Sequence, residues 1–375
     1  MNVLITLTDP GDPGGITNYF ATLRNKFTVS TRYFITGRRQ GEKGNISRIL
    51  RSSTDYWNFM RCIRINNIDL VHLNPYFDLK AFIREGIFVL LAKAAGKKVA
   101  VFFHGEDNSF RNSISRRWLS LFKFFYGKVD CFIVLSNEMK ETLKEWGVKV
   151  PIYHEVTVID DDFLNGFGIH DALKKRESHK KWRVLFLSRI LRDKGIYETI
   201  EAVSLLKAKY PMIELVVAGD GNELENAKAF AQNLNMLNVT FTGYIKGEAK
   251  RQAFETAHIF CFPTNFGEGM PTAVIEAMAF GLPVVTRPVR GLGDCLKNGE
   301  HGYITTSMQP QVFANMIEKL FCDKNLYNKI SSTNYRYAQI HFLASNSALR
   351  LDRIYEAALG YDKNEKQAHV KAVKC

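Results

Sequence analysis

The sequence is short of several features that would identify a protein at once. Six cysteines, Cys62, Cys131, Cys261, Cys295, Cys322 and Cys375, are scattered, with no CxxC pair and no Cys/His cluster. That excludes the spacings of a disulfide framework and of a structural zinc site, and the thiols read as reduced and mostly buried in a cytosolic protein. Long apolar runs are also missing. The most hydrophobic stretch, GIFVLLA at 86–92, is followed at once by Lys93, Lys97 and Lys98. It falls far short of the roughly 20 residues that span a bilayer. The opening NVLITLT enters a strand pattern without the basic and small-residue flanks of a secretory leader. Repeats and low-complexity segments are absent as well.

What is present is an ordinary globular composition, 46% hydrophobic and 24% charged, on 375 residues. That length exceeds one common core, so two domains are expected. The net charge of +13 is uneven: residues 1–150 carry 23 Lys and Arg against 13 Asp and Glu, and the remainder 28 against 25. The first half therefore suits an anionic partner, whether nucleic acid, a phospholipid surface or a lipid diphosphate.

Short β-branched runs alternate with longer helical patterns. Strand candidates in the first half are 2–7, 69–73, 98–103 and 130–135, with helical stretches near 15–26, 79–95, 111–126 and 137–146. A second series follows at 183–187, 213–218, 239–242, 258–262 and 283–286. Two successive βαβ series predict an α/β protein of two Rossmann-like, doubly wound domains. The expected division is an N-terminal domain 1–155, a linker 156–182, a second domain 183–340, a helix 341–360 packing back on the first domain, and a polar tail 361–375. Ligands of such domains collect at the C-terminal ends of strands, so the two are expected to face each other across a cleft.

FPTNFGEGMPTAVIEAMAFGLPVV at 262–285 reads as a strand end, a glycine loop, a helix from about Pro271 to Phe280, and Gly281 as its stop. A helix opening at a strand end favours a phosphate. Glu268 precedes that helix and Glu276 lies about 1.5 turns into it, ~8 Å along the axis. Two carboxylates flanking an anion site suit the hydroxyls of a sugar and a ribose. Either alone reads as a solvated charge. Ala273, Val274, Ala277 and Met278, however, predict a largely buried helix, where an unpartnered Glu is costly.

VLFLSRILRDKGIYETIEAV at 184–203 places Arg189 and Lys194 in a loop after a strand, with Gly195 opening a helix to about Tyr210. Two cations there are placed to hold a diphosphate and to stabilise it as a leaving group without a metal. LVVAGDGNE at 215–223 turns at Gly219 but lacks the third glycine of a dinucleotide fingerprint. DPGDPGGITNYF at 9–20 brings Gly14 and Gly15 into a loop that either lets backbone approach a phosphate or sugar or is simply flexible. VFFHGED at 101–107 puts His104 at the end of a buried strand.

In this order the elements resemble the retaining GT-B glycosyltransferases of the family 4 type, which include bacterial polysaccharide transferases. The likeness rests on E-x7-E at Glu268 and Glu276, SR…KG at Arg189 and Lys194, AGDG at Gly219, TGYI at 242–245, Gly14–Gly15 and His104–Gly105. It is dense over 183–304 and sparse over 1–150. The resemblance implies that Arg189 and Lys194 bind the diphosphate of a nucleotide-sugar donor, Glu276 the ribose and Glu268 the transferred sugar. Met270, Pro271 and Thr272 would lay backbone N–H groups against sugar and phosphate, and His104 would lie near the anomeric carbon. It also implies no metal or other cofactor. Asn74, where many relatives carry His, His258 for a frequent Asp, and Asp294 for a frequent Glu depart from the pattern.

Two further stretches have competing readings. DDD at 160–162 looks like a metal-binding DxD but falls in the linker, and reads as hinge. FRNSISRRWLSLFKFFYGK at 110–128, with Arg111, Arg116, Arg117, Trp118 and Lys123, has the composition of a helix on an anionic membrane interface, or of a core helix with a basic outer face. The membrane reading points to a polyprenyl-diphosphate-linked glycan as acceptor, with the enzyme cytoplasmic and peripheral. A nucleotide-sugar epimerase or phosphorylase on the same fold is the alternative enzyme. A nucleic-acid-binding protein is the alternative suggested by charge, and it lacks any recognisable module.

Overall fold

The computed structural model describes all residues except 10, 12, 13, 38, 40–44, 106, 107, 180, 266–269, 290 and 362–375; the side chains of 45–50 and 108 are also outside it. The chain divides into two compact units. Unit 1 comprises Met1–Val156 together with Ala344–Lys374, and unit 2 comprises Thr157–Leu343.

Unit 1 is built on a six-stranded sheet: β1 (Asn2–Leu7), β2 (Ser30–Ile35), β3 (Leu70–Leu73), β4 (Lys98–Phe103), β5 (Cys131–Val134) and β6 (Ile152–His154). Its order is β2-β1-β3-β4-β5-β6, with every pairing parallel. Central strands such as CFIV and LVHL are buried at every position, as a sheet covered on both faces requires. Phe59, Phe82, Phe88, Phe103, Phe122 and Phe132 fill the core around it. Glu85 is buried between strand ends, where it accepts hydrogen bonds from Thr6 and Thr36 and pairs with Arg84.

The helix Ala344–Leu359 completes this unit. Tyr19 meets Ser347 at 2.8 Å, Asp352 accepts from the N–H and hydroxyl of Thr28, and Arg350 grips the fully buried Glu155. An ion pair this deep holds its helix firmly, because either partner alone would be an uncompensated buried charge.

Unit 2 repeats the scheme with β7 (Trp182–Leu187), β8 (Ile213–Ala218), β9 (Val239–Gly243), β10 (Ile259–Phe262), β11 (Val284–Thr286) and β12 (Gly302–Ile304), ordered β12-β11-β10-β7-β8-β9 and again all parallel. Most of the stretch 156–182 belongs to this unit and is structured. Asp160 caps a 3-10 turn at Asp161–Leu164 by accepting from the Asp162 N–H, and a helix runs over Ile169–Ser178. Within unit 2 the entering and leaving chain lie side by side: Ile159 bridges to Leu343, and its N–H donates to Phe342 O at 2.8 Å.

Candidate functional site

In a doubly wound sheet the crevice forms where strand order reverses. In unit 2 that point lies between β7 and β10. The loop after β7 holds Arg189 and Lys194, and Pro263–Asn265 follow β10. The two loops touch: Asn265 N–H donates to Asp193 O at 2.8 Å. Gly195 packs on Pro263 so closely that a Cβ would come within 2.6 Å of the proline carbonyl, and its φ is +84°. Gly195 caps a single 3-10 turn, Arg192–Lys194, before the helix Ile196–Lys207, so that helix is shorter at its end than the expected reach to Tyr210.

Arg189 is exposed, whereas Lys194 is only 1% exposed, with its ammonium 5.9 Å from the Phe262 ring. Burial, helped by the neighbouring Arg189 charge, brings Lys194 down to about 8. A buried ammonium in that range is still mostly charged at neutral pH and gains from any anion that joins it. The β8 turn supports this loop from behind. Gly219 has φ +145°, and a Cβ on it would meet Ser188 O at 1.8 Å; one on Gly221 would meet Ile190 O at 2.3 Å. Gly219 thus has a packing role against the cationic loop.

The helix Thr272–Ala279 opens beside the β10 loop. Pro271 is its N-cap rather than its first residue, and no side chain caps it. Proline has no N–H, so of the expected backbone donors only Met270 and Thr272 can donate. Met270 and Pro271 are buried and Thr272 is exposed at the helix mouth. Gly281 stops the helix at φ +66°, its N–H bonded to Met278 O.

Glu276 is 7% exposed. Its Oε1 accepts from Lys250 Nζ at 2.6 Å, while Oε2 is buried and has no hydrogen-bond partner among the described residues. Burial raises its pKa, and Lys250 works against that rise. An orphaned carboxylate oxygen costs stability unless something donates to it. Glu268, the other half of the spaced pair, lies outside the described residues.

Two residues without a sequence signal hold this arrangement. Lys250, on the helix Gly247–Thr256, partners Glu276 only through the tertiary fold. Arg176, from the helix Ile169–Ser178, is buried and donates to the carbonyls of Phe254, Glu255, Phe280 and Gly281. It thereby satisfies the C-terminal ends of the helices that carry Lys250 and Glu276. His258 is structural too: its Nδ1 accepts the Arg183 N–H, its Nε2 meets Arg176 O, and burial lowers it to about 4.

Unit 1 has its own reversal, between β1 and β3. Gly14 is the N-cap of the helix Gly15–Leu23, and a Cβ on it would meet the Tyr76 hydroxyl at 2.5 Å, whereas Gly15 faces open space. His104 follows β4, with its ring 3.7 Å from that of Phe102 and 5.0 Å from Tyr19. Its Nε2 lies 2.9 Å from Asn74 Oδ1, which also takes His72 Nε2 at 3.0 Å. Burial, with a smaller contribution from His72, holds His104 well below the ordinary imidazole range.

The aromatic-rich segment 110–128 is mostly core. Ile114, Phe122, Phe125 and Tyr126 are buried, Trp118 is half-buried, and Arg111 is half-buried in an ion pair with Glu138. A π-helical turn at Ile114–Trp118 shifts the register between flanking helical segments. The outer face presents Arg116, Arg117, Lys123, Lys128 and Phe124, the last 62% exposed. No described helix is long and apolar enough to cross a membrane.

Two family models match the chain: Glycosyltransferase Family 4 over residues 16–160 and Glycosyl transferases group 1 over residues 170–337. The chain is 26% identical to the putative glycosyltransferase YtcC of Bacillus subtilis (strain 168) over 320 residues, which cover 79% of this chain and 74% of that protein. It is 30% identical to the capsular polysaccharide biosynthesis glycosyltransferase CapM of Staphylococcus aureus over 226 residues, 60% of this chain and 57% of that one. Among solved structures it is similar to HepE from Anabaena in complex with UDP. That alignment has a TM-score of 0.72 at 16% identity and covers 95% of this chain and all of the other.

Proposed function

The chain belongs to the group 1 glycosyltransferases and carries their GT-B architecture, and from that premise we propose that it transfers a sugar, with retention, from a nucleoside-diphosphate sugar to a glycan or lipid-linked acceptor during surface polysaccharide synthesis. The observation that carries the reading is the Glu276 carboxylate. It is buried on the helix Thr272–Ala279, fixed on one oxygen by Lys250 and, among the described residues, unpartnered on the other. A ribose offers the missing hydroxyl donors. Arg189 and Lys194 stand at the same strand reversal to take the diphosphate. The N–H groups of the uncapped helix at Thr272 add positive potential for the phosphates.

Charge that builds on the departing diphosphate is met by two preorganised cations, which is the electrostatic work a divalent ion does elsewhere. Glu268 takes the transferred sugar by resemblance. HepE, which shares the fold, is solved with UDP and with UDP-glucose, and this supports a nucleotide-sugar donor. CapM, which acts in capsular polysaccharide biosynthesis, supports the polysaccharide context. Cationic Arg116, Arg117 and Lys123 with Phe124 suit a peripheral contact with an anionic bilayer carrying a lipid diphosphate acceptor on the cytoplasmic side.

The test is calorimetric titration of UDP, GDP and ADP, with melting shifts for their sugar conjugates. Glu276→Ala and Arg189→Ala are each expected to weaken the best ligand about 10- to 100-fold, the size of losing a hydrogen bond to a charged group. Unchanged affinity in both variants would reject the donor site. Turnover lost in EDTA and restored by manganese would reject the metal-free mechanism, and equal, negligible sedimentation with neutral and anionic liposomes the membrane contact.

A further inference from the structure

The positive excess of residues 1–150 gathers in part at one place in unit 1. Asp55, on the helix Asn45–Ile65, is buried and takes two guanidinium groups, Arg39 Nη2 at 2.8 Å on one oxygen and Arg51 Nη1 at 3.0 Å on the other. Glu85, on the helix Leu79–Ala94, is 1% exposed. It accepts from the hydroxyls of Thr6 at 3.3 Å and Thr36 at 2.9 Å, and pairs with Arg84 Nε at 3.1 Å. The two groups form one cluster, since the charges of Arg39, Arg51 and Arg84 all act on Asp55. Three guanidinium groups thus face two buried carboxylates.

A buried carboxylate needs a cation beside it, which accounts for two of the three. The third is surplus. Arg84 is engaged through Nε alone, and its Nη1 and Nη2 have no hydrogen-bond partner among the described residues, although its side chain is only 23% exposed. A guanidinium has five N–H donors, so four of them stand unused at the planar end. Gly37 brings bare backbone against that end: a Cβ there would meet Arg84 Nη1 at 3.0 Å and Cζ at 3.3 Å, at a φ of +83°. Arg39, half exposed, spends one N–H on Asp55. Thr6 lies in β1, and Thr36 and Gly37 follow β2, so the cluster sits at the C-terminal ends of two neighbouring parallel strands. Ligands of doubly wound sheets collect at that end.

We infer that Arg39, Arg51 and Arg84 form an oxyanion site for a phosphate group, with the planar end of Arg84 as its central contact and Asp55 and Glu85 as the residues that hold the guanidinium groups in place. The donor set selects the chemistry. A guanidinium fork matches phosphate oxygens two at a time, and a terminal phosphate offers three oxygens and up to two charges to the surplus cation and its neighbours. The site lies wholly within unit 1, whereas Arg189 and Lys194 belong to unit 2. The phosphate has two possible sources, the lipid diphosphate of an acceptor or a free phosphate. The first source rests on the transferase reading; the anion site itself does not.

The experiment titrates inorganic diphosphate calorimetrically into the intact chain saturated with UDP, which occupies the proposed donor site. A further diphosphate is expected to bind. Arg84→Gln and Arg39→Gln are each expected to weaken it about 10- to 100-fold, the size of losing a hydrogen bond between charged groups, with the UDP affinity of the wild type retained. Arg84→Lys keeps the charge without the fork and is expected to recover only part of the loss. Farnesyl diphosphate, a short-chain isoprenyl probe, is expected to displace the inorganic ion.

No diphosphate binding to the UDP-saturated wild type, or binding unchanged in Arg84→Gln, overturns the site. Arg84→Gln decides alone if Arg39→Gln does not fold, because Glu85 keeps its two hydroxyl donors in that variant. Full binding by Arg84→Lys overturns the role of the fork. Glucuronate that competes as well as diphosphate overturns the choice of phosphate over carboxylate. Farnesyl diphosphate that fails to displace the inorganic ion overturns the lipid source and leaves free phosphate as the ligand. If the transferase reading fails instead, UDP binding is unaffected by Glu276→Ala and Arg189→Ala, while diphosphate binding still depends on Arg84.

Discussion

Lys194 is the residue whose chemistry makes the sharpest demand on the proposed donor site. Its folded pKa of about 8 reflects burial and the charge of Arg189. A diphosphate that contacts it favours the ammonium, so binding draws a proton onto Lys194 when the pH is near or above that value. Affinity for a nucleoside diphosphate is therefore expected to fall as pH rises through about 8, by as much as tenfold per unit, and to be flat below about 7. Calorimetry in buffers of different ionisation enthalpy reads the proton uptake directly, and Lys194→Met is expected to abolish both the uptake and the slope.

At this scale the sequence carried half the information. The spacing of Glu268 and Glu276 and the burial predicted by Ala273, Val274, Ala277 and Met278 were visible in it, because a helix turns every 3.6 residues. Lys250 was not visible. It sits in GEAKRQAF with nothing to separate it from the exposed charges around it, and only the packing of two helices brings it to Glu276. The hydrogen bonds of Asn74 were hidden in the same way: the sequence marks it only as a departure from the resemblance, and the fold brings it to His72, His104 and Thr6.

Among the elements, those expected from sequence and those overlooked differ by position in the sheet. Central strands such as β1, β4 and β8 were legible to the residue because they are continuous apolar runs. β2, β6 and β12 were missed, and each is an edge strand. STRYFI keeps one face to solvent, and IYH and GYI are three residues long, so they lack the apolar density that marks a covered strand. The helix Asn45–Ile65 was also missed, as its Ser-Ser-Thr and Asn residues have poor helix propensity and its partners are distant in sequence.

Two substitutions test the elements around the site. Gly219→Ala adds a Cβ 1.8 Å from Ser188 O at a φ of +145°. Overpacking and backbone strain together are expected to cost about 2–5 kcal/mol, seen as a lower denaturant midpoint. Arg176→Leu strips the donors from four buried carbonyls at two helix ends. The expected loss is about 2–4 kcal/mol, and ligand affinity should fall with it because both helices carry site residues.

For the whole molecule, the two units are not consecutive halves. Unit 1 is interrupted by all of unit 2 and closed by the helix Ala344–Leu359. Removing residues 344–375 leaves Glu155 buried without Arg350, a loss of about 3–5 kcal/mol before the lost apolar packing is counted. Hydrogen exchange on that truncation is expected to show β4 amides losing protection while β8 amides keep theirs. Equal protection in both strands would contradict the division.

That interruption has a consequence for how the protein is born. A ribosome delivers Met1–Val156 first, yet this segment waits without its closing helix while Thr157–Leu343 emerges. Unit 2 is the first contiguous body to be complete, so on the nascent chain the unit that carries the proposed donor site can fold before the segment synthesised ahead of it. Tyr355, whose hydroxyl meets His72 Nδ1 at 2.8 Å, follows all of unit 2 in the chain, so the buried hydrogen-bond chain of unit 1 is completed only after unit 2 has emerged.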